Sequence, residues 1–168
     1  VTSGTAALYL AMLALDIGPG DSVIVPDFTM IATPNAVKWA GADVALCDVN
    51  RETLCLDLNK VEIQRNTKAL IYVSINGRSG NMQEVVRFCD EHGLYLIEDA
   101  CQAVGAEYRG RRAGALGNIG CFSFYPTKNL GGYGDAGMLT TDDVQLAEKP
   151  KLLRGNGMQP RSQHQVCG

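Results

Sequence analysis

Met82-Gln83-Glu84-Val85-Val86-Arg87-Phe88-Cys89-Asp90-Glu91-His92 is followed, after Gly93, by Leu94-Tyr95-Leu96-Ile97-Glu98-Asp99. In the first part Val85, Val86 and Cys89 recur on one helical face, and Gln83, Glu84, Arg87, Asp90 and Glu91 take the other. The second part is a short, continuous apolar run ending in two acids. A strand that is apolar at successive positions is buried on both faces, as in a parallel sheet covered by helices. The pair therefore reads as a helix leading into an interior strand.

The same alternation extends in both directions. Upstream, the pattern predicts a helix over 6–15, apolar all round, then the turn Gly18-Pro19-Gly20-Asp21 and a buried strand over 22–26. A helix over 29–39, stopped by Gly41, precedes strands over 43–48 and 68–74. Downstream, 119–124 and 137–141 read as two more strands. The fold class expected is α/β, a mixed, mostly parallel sheet with helices on both faces.

Composition narrows the function. The chain has 168 residues, 46% hydrophobic and 20% charged, with a formal net charge of −3. That suits one domain with a real core and argues against a nucleic-acid or membrane-surface role driven by basicity. No apolar run approaches the roughly 18–20 residues of a membrane span. The six cysteines (Cys47, Cys55, Cys89, Cys101, Cys121, Cys167) form no CxxC pair and have no close histidine, so no metal site is expected. They read as reduced thiols of a cytoplasmic protein. Both ends look cut: Val1-Thr2-Ser3-Gly4-Thr5 begins as a strand end and a helix cap, and after Leu153 the pattern dissolves into a polar tail.

In open α/β sheets, ligands bind beyond the carboxyl ends of the strands. Ser3-Gly4-Thr5 opens a helix there, and reads either as a plain N-cap or as an anion site. Asp99 follows a buried strand, where a carboxylate serves either a structural hydrogen bond or a ligand. Lys128, beyond Tyr125-Pro126-Thr127, is either a surface cation or a nucleophile. Gly132-Tyr133-Gly134-Asp135-Ala136-Gly137 matches GxGxxG literally, which raises a nicotinamide-binding alternative. The match fails its context, because a β-like stretch follows where a helix should open.

Taken together, four motifs stand in order: Ser3-Gly4-Thr5-Ala6-Ala7-Leu8, Val25-Pro26-Asp27-Phe28-Thr29, Glu98-Asp99-Ala100-Cys101-Gln102-Ala103-Val104-Gly105 and Phe122-Ser123-Phe124-Tyr125-Pro126-Thr127-Lys128-Asn129-Leu130-Gly131. The chain thereby resembles the DegT/StrS family of pyridoxal-phosphate-dependent nucleotide-sugar aminotransferases. The resemblance implies the large domain of the aspartate aminotransferase-like fold, truncated at both ends. Residues 1–168 would be a partial cofactor-binding domain, with an N-terminal arm and a small C-terminal domain absent.

The resemblance also implies roles. Lys128 would form the Schiff base with the cofactor aldehyde and shuttle the proton, and Asp99 would pair with the pyridine nitrogen. Gln102 would contact the ring's oxygen side, and Phe28 would stack on the ring. Gly4, Thr5 and Ala6, with the Ser123 hydroxyl, would hold the phosphate. Lysine at 128, where dehydratases of this fold carry histidine, argues for transamination from an amino acid, commonly glutamate, to a nucleotide-linked keto-sugar. A homodimer with little turnover of its own is expected for such a fragment, and a non-catalytic or regulatory relative is the alternative. The segment Val73-Ser74-Ile75-Asn76-Gly77-Arg78 departs from the histidine and Tyr-Gly or Phe-Gly of many relatives, near the cofactor edge. Asn118 replaces the usual aspartate, with a structural consequence only.

Overall fold

The stretch over 82–99 folds as its periodicity demands. Met82–His92 is an α-helix with Met82, Val85 and Cys89 buried. It ends where Gly93 adopts φ +65°, and Leu94 N–H closes back on the Cys89 carbonyl at 2.9 Å. Only glycine takes that left-handed turn without a steric penalty. Tyr95–Asp99 then runs as a strand whose last four residues are buried, while Tyr95 at its start stays exposed.

The structure is a computed structural model that describes residues 1–155, 157–159 and 163–164. In chain order the elements are α1 (Gly4–Ala14), β1 (Ser22–Pro26), α2 (Ala32–Trp39), β2 (Asp43–Cys47), β3 (Thr67–Val73), α3 (Met82–His92), β4 (Tyr95–Asp99), β5 (Glu107–Tyr108), β6 (Arg111–Arg112), β7 (Ile119–Ser123), β8 (Gly137–Thr140) and α4 (Val144–Arg154). Two short strands, β9 (Met158–Gln159) and β10 (Gln163–His164), pair with each other. The main sheet has the order β2-β1-β3-β4-β7-β8, parallel except for β8, which runs antiparallel to β7. The mixed, mostly parallel sheet expected from the sequence is what forms.

Register shows which face each side chain takes. Val73, Asp99 and Cys121 are neighbours across β3, β4 and β7, and so point to one side. That side carries α1 and α2, because Thr33 of α2 bonds Asp99. Tyr72, Glu98 and Gly120 point to the other side. There the Tyr72 hydroxyl donates to the Ser79 carbonyl just ahead of α3. Helices therefore cover both faces. α1, apolar all round as read, packs against α2, α4, β7 and β8.

Three differences from the sequence reading have physical causes. The helix expected over 29–39 begins only at Ala32, because Thr29 and Met30 belong to a loop that walls a cavity described below. α4 was not anticipated. It contains Pro150 and buries only that residue, so it shows no apolar stripe. The β5–β6 hairpin is two residues a side, too short for a periodic signal. The GxGxxG run behaves as its context indicates: it forms the loop between antiparallel β7 and β8, with Gly137 as the first residue of β8 and a strand following.

Asn118 Oδ1 accepts the Leu96 N–H at 2.7 Å and ties the loop before β7 to β4. Cys47, Cys55, Cys89, Cys101 and Cys121 are free thiols, and Cys167 lies outside the described residues. Burial pushes Cys89 up to about 12 and, with nearby Asp57, Asp27 and Asp48, Cys47 to about 11. Both therefore remain protonated at neutral pH.

The two acids at the end of β4 have separated fates. Glu98 is fully buried, and its carboxylate accepts three backbone N–H groups: Gly114 at 2.8 Å, Leu116 at 2.6 Å and Gly117 at 2.7 Å. It organises the 114–117 loop. Glu98→Gln must aim an N–H₂ at one of those donors, so a loss of about 3 kcal/mol is expected in urea unfolding.

Candidate functional site

The carboxyl ends of β3, β4 and β7 meet the N-terminus of α1. The chain leaves β1 toward β2 on one side and returns to β3 on the other, so the sheet has its switch point there. A cavity of about 340 Å³ opens at this place. Volume alone does not single it out, since a cleft of about 420 Å³ lies beside β8 and α4. Chemistry does: the wall combines a buried carboxylate, an amine and the open turn of a helix.

Gly4, Thr5, Asp99, Gln102, Ser123 and Lys128 all line the cavity. The structure thus brings together most of the residues singled out in the sequence, from three separate segments. Ala6 and Phe28 are not among the lining residues. The Ala6 N–H is directed to the Ser3 hydroxyl at 3.0 Å, which caps α1. Phe28 sits half-exposed just past β1.

The helix cap and the anion site of the sequence reading coexist. Ser3 satisfies the Ala6 N–H, while the Gly4 and Thr5 N–H groups have no acceptor among the described residues. Those two donors, with the helix dipole behind them, favour an anion at the cavity. Gly4 is required by close packing: a Cβ there would stand 2.7 Å from Ser123 Cβ and 2.8 Å from Cys101 Sγ. The missing side chain lets α1 press against β7, which places Ser123 beside the same N–H groups.

Asp99 is 5% exposed, and no side-chain cation bonds it among the described residues. Its Oδ2 accepts the Thr33 hydroxyl at 2.8 Å and its Oδ1 the Cys101 N–H at 3.2 Å. The Cys101 thiol is raised above its ordinary range by burial and by the Asp99 charge, so it faces the cavity as a neutral group. Gln102 Oε1 accepts the Asn76 N–H at 2.8 Å, which turns its amide nitrogen away from that loop. The Asn76 backbone is left-handed, at φ 51°. Asn76 and Gln102 also line a second cleft that reaches Lys128, so the departing segment over 73–78 does border the site.

Lys128 is half-buried, set by a turn after β7 in which its N–H donates to the Tyr125 carbonyl at 2.8 Å. Sequence reasoning missed Thr33, which belongs to no strand end and acts on a residue far along the chain, and it placed Asn76 only as part of the segment over 73–78. Among the described residues, no group of His, Cys, Asp and Glu could hold a metal ion.

The groups present suit pyridoxal phosphate: an anion cradle, a buried carboxylate with no cation bonded to it among the described residues, and an amine share one cavity. Comparison with known proteins leads the same way. A profile of the DegT/DnrJ/EryC1/StrS aminotransferase family matches residues 1–168. The UDP-N-acetyl-3-dehydro-alpha-D-glucosamine 3-aminotransferase of Acidithiobacillus ferrooxidans is 45% identical over 99% of this chain and 46% of its own length. The crystal structure of DesV from S. venezuelae, in complex with a ketimine intermediate, superposes with a TM-score of 0.96 at 44% identity, over 100% of this chain and 46% of that one. NtdA from Bacillus subtilis, with bound cofactor PMP, superposes at 0.90 and 35% identity, over 99% of this chain and 39% of that one. The chain thus spans under half the length of these relatives. With a family profile matched from end to end and a site that fits the family's cofactor, pyridoxal phosphate, the chain belongs to the DegT/DnrJ/EryC1/StrS aminotransferase family.

Proposed function

We propose that this chain is the cofactor-binding part of an enzyme that moves an amino group from an amino acid, glutamate foremost, to a nucleotide-linked keto-sugar. One observation carries the reading. Asp99, buried with no cation bonded to it among the described residues, shares its cavity with Lys128 and with the open first turn of α1. A carboxylate there needs positive charge nearby, and a protonated pyridine nitrogen provides it.

Asp99 would hold that ring nitrogen, with Gln102 at the ring's oxygen side and Phe28 against its face. The Gly4 and Thr5 N–H groups and the Ser123 hydroxyl would take the phosphate at the α1 N-terminus, with Ala6 in the same turn. When bound, the cofactor supplies an electron sink for the charge left when a C–H bond of the donor breaks. Lys128 Nζ would hold the cofactor covalently at rest; once the donor's amino group displaces it from that bond, the freed amine would take the proton from the donor's α carbon and hand it on to the cofactor carbon it had left. Asp99 would keep a proton on the ring nitrogen throughout.

The enzyme works as a homodimer, a reading supported by the exposed apolar Phe28, Met30, Ile31, Tyr125 and Leu130 in the segments that flank the cavity. The chain corresponds to the large domain of each subunit, and the free thiols support a cytoplasmic setting. No helix among the described residues is long and apolar enough to cross a membrane.

Incubation with pyridoxal phosphate and L-glutamate is expected to release 2-oxoglutarate in proportion to loaded protein. A protein that loads cofactor yet releases no oxo acid from any amino acid would be a binding or regulatory relative, and the activity would be withdrawn.

A further inference from the structure

Thr33 is fully buried on α2. Its Oγ1 lies 2.8 Å from Asp99 Oδ2 and 2.9 Å from Thr29 Oγ1. A carboxylate can only accept, so Thr33 gives its single proton to Asp99. Only lone pairs then remain on Thr33 for Thr29, and Thr29 must donate to it. The two hydroxyls point their protons the same way, from the loop after β1 toward Asp99.

Packing alone does not call for this arrangement. Valine fills the space of threonine, and at a position buried beside Ala36 and Val37 it would carry no polar atom to satisfy. The hydroxyl has one evident use, which is Asp99. With the Cys101 N–H on the other oxygen, each carboxylate oxygen is held by one bond, and the plane of the group is fixed.

We propose that Thr33, backed by Thr29, is a positioning residue for amino transfer: it fixes the Asp99 carboxylate toward the cavity so that the cofactor's ring nitrogen keeps its proton. The inference rests on the reading that this cavity takes pyridoxal phosphate.

The test compares the full chain with its Thr33→Val and Thr33→Ser variants, each titrated with pyridoxal phosphate. Three quantities are measured: cofactor Kd by visible absorbance, the pH dependence of the bound cofactor's spectrum, and the Tm without cofactor. Thr33→Val is expected to weaken binding about tenfold, the loss of one hydrogen bond to a charged group. Its spectral midpoint should move by about one pH unit, with Tm little changed. Thr33→Ser, which restores the hydroxyl, is expected to recover both the Kd and the midpoint. An unchanged Kd and pH profile in Thr33→Val would overturn the inference while leaving the cofactor reading intact. A fall in Tm that Thr33→Ser does not repair, with the pH midpoint unmoved, would assign Thr33 to packing and also overturn it. If the unmodified chain fails to load cofactor, the reading of the cavity falls, and the inference with it.

Discussion

Lys128→Ala is expected to abolish covalent attachment of pyridoxal phosphate and to lower amino transfer at least about a thousandfold, with the fold intact. Proton transfer by a positioned side chain contributes roughly 10²–10⁴ in rate, and this amine serves attachment as well. The structural cost is small because of where Lys128 sits. Its position is set by a backbone bond to Tyr125, which alanine keeps, and its amine makes no hydrogen bond or ion pair among the described residues. A change within about 0.5 kcal/mol is expected in denaturant unfolding. Mass spectrometry, unfolding and the glutamate half-reaction on one preparation check all three points. A variant that no longer folds would make Lys128 a structural residue.

Asp99→Asn is expected to separate attachment from chemistry. Lys128 is untouched, so the cofactor still attaches. The neutral amide cannot hold a proton on the ring nitrogen, and turnover is expected to drop by about 10²–10³, the range seen when one preorganised electrostatic partner is removed. The site tolerates the exchange sterically: the amide oxygen faces the Cys101 N–H, and the amide nitrogen donates to the Thr33 hydroxyl, which rotates to accept. The glutamate half-reaction measures the effect, and full activity in Asp99→Asn would remove Asp99 from this role.

What the sequence made legible follows from how local each signal is. The α3–β4 unit could be read because its helical stripe, its glycine stop and its apolar run all lie within 82–99. The site could be listed because sheets of this kind deliver ligands to strand ends, and Asp99, Ser123 and Lys128 sit at or just past such ends. Alternation along β4 puts Glu98 and Asp99 on opposite faces, yet only the packed helices decide which face carries the cavity. Thr33 was illegible because its partner lies 66 residues away and no local pattern marks a buried hydroxyl. α4 had a readable start, since Asp143 caps it through the Gln145 and Leu146 N–H groups. Its internal proline and lack of an apolar stripe hid the rest.

The central claim is that this cavity binds pyridoxal phosphate on Lys128. Incubation with the cofactor, borohydride reduction, intact mass and peptide mapping test it directly. A single pyridoxyl group on the peptide that contains Lys128 is the expected result. No adduct, or adducts scattered over exposed lysines such as Lys38, Lys60 and Lys151, would contradict the claim: the chain would then share its relatives' fold without their site.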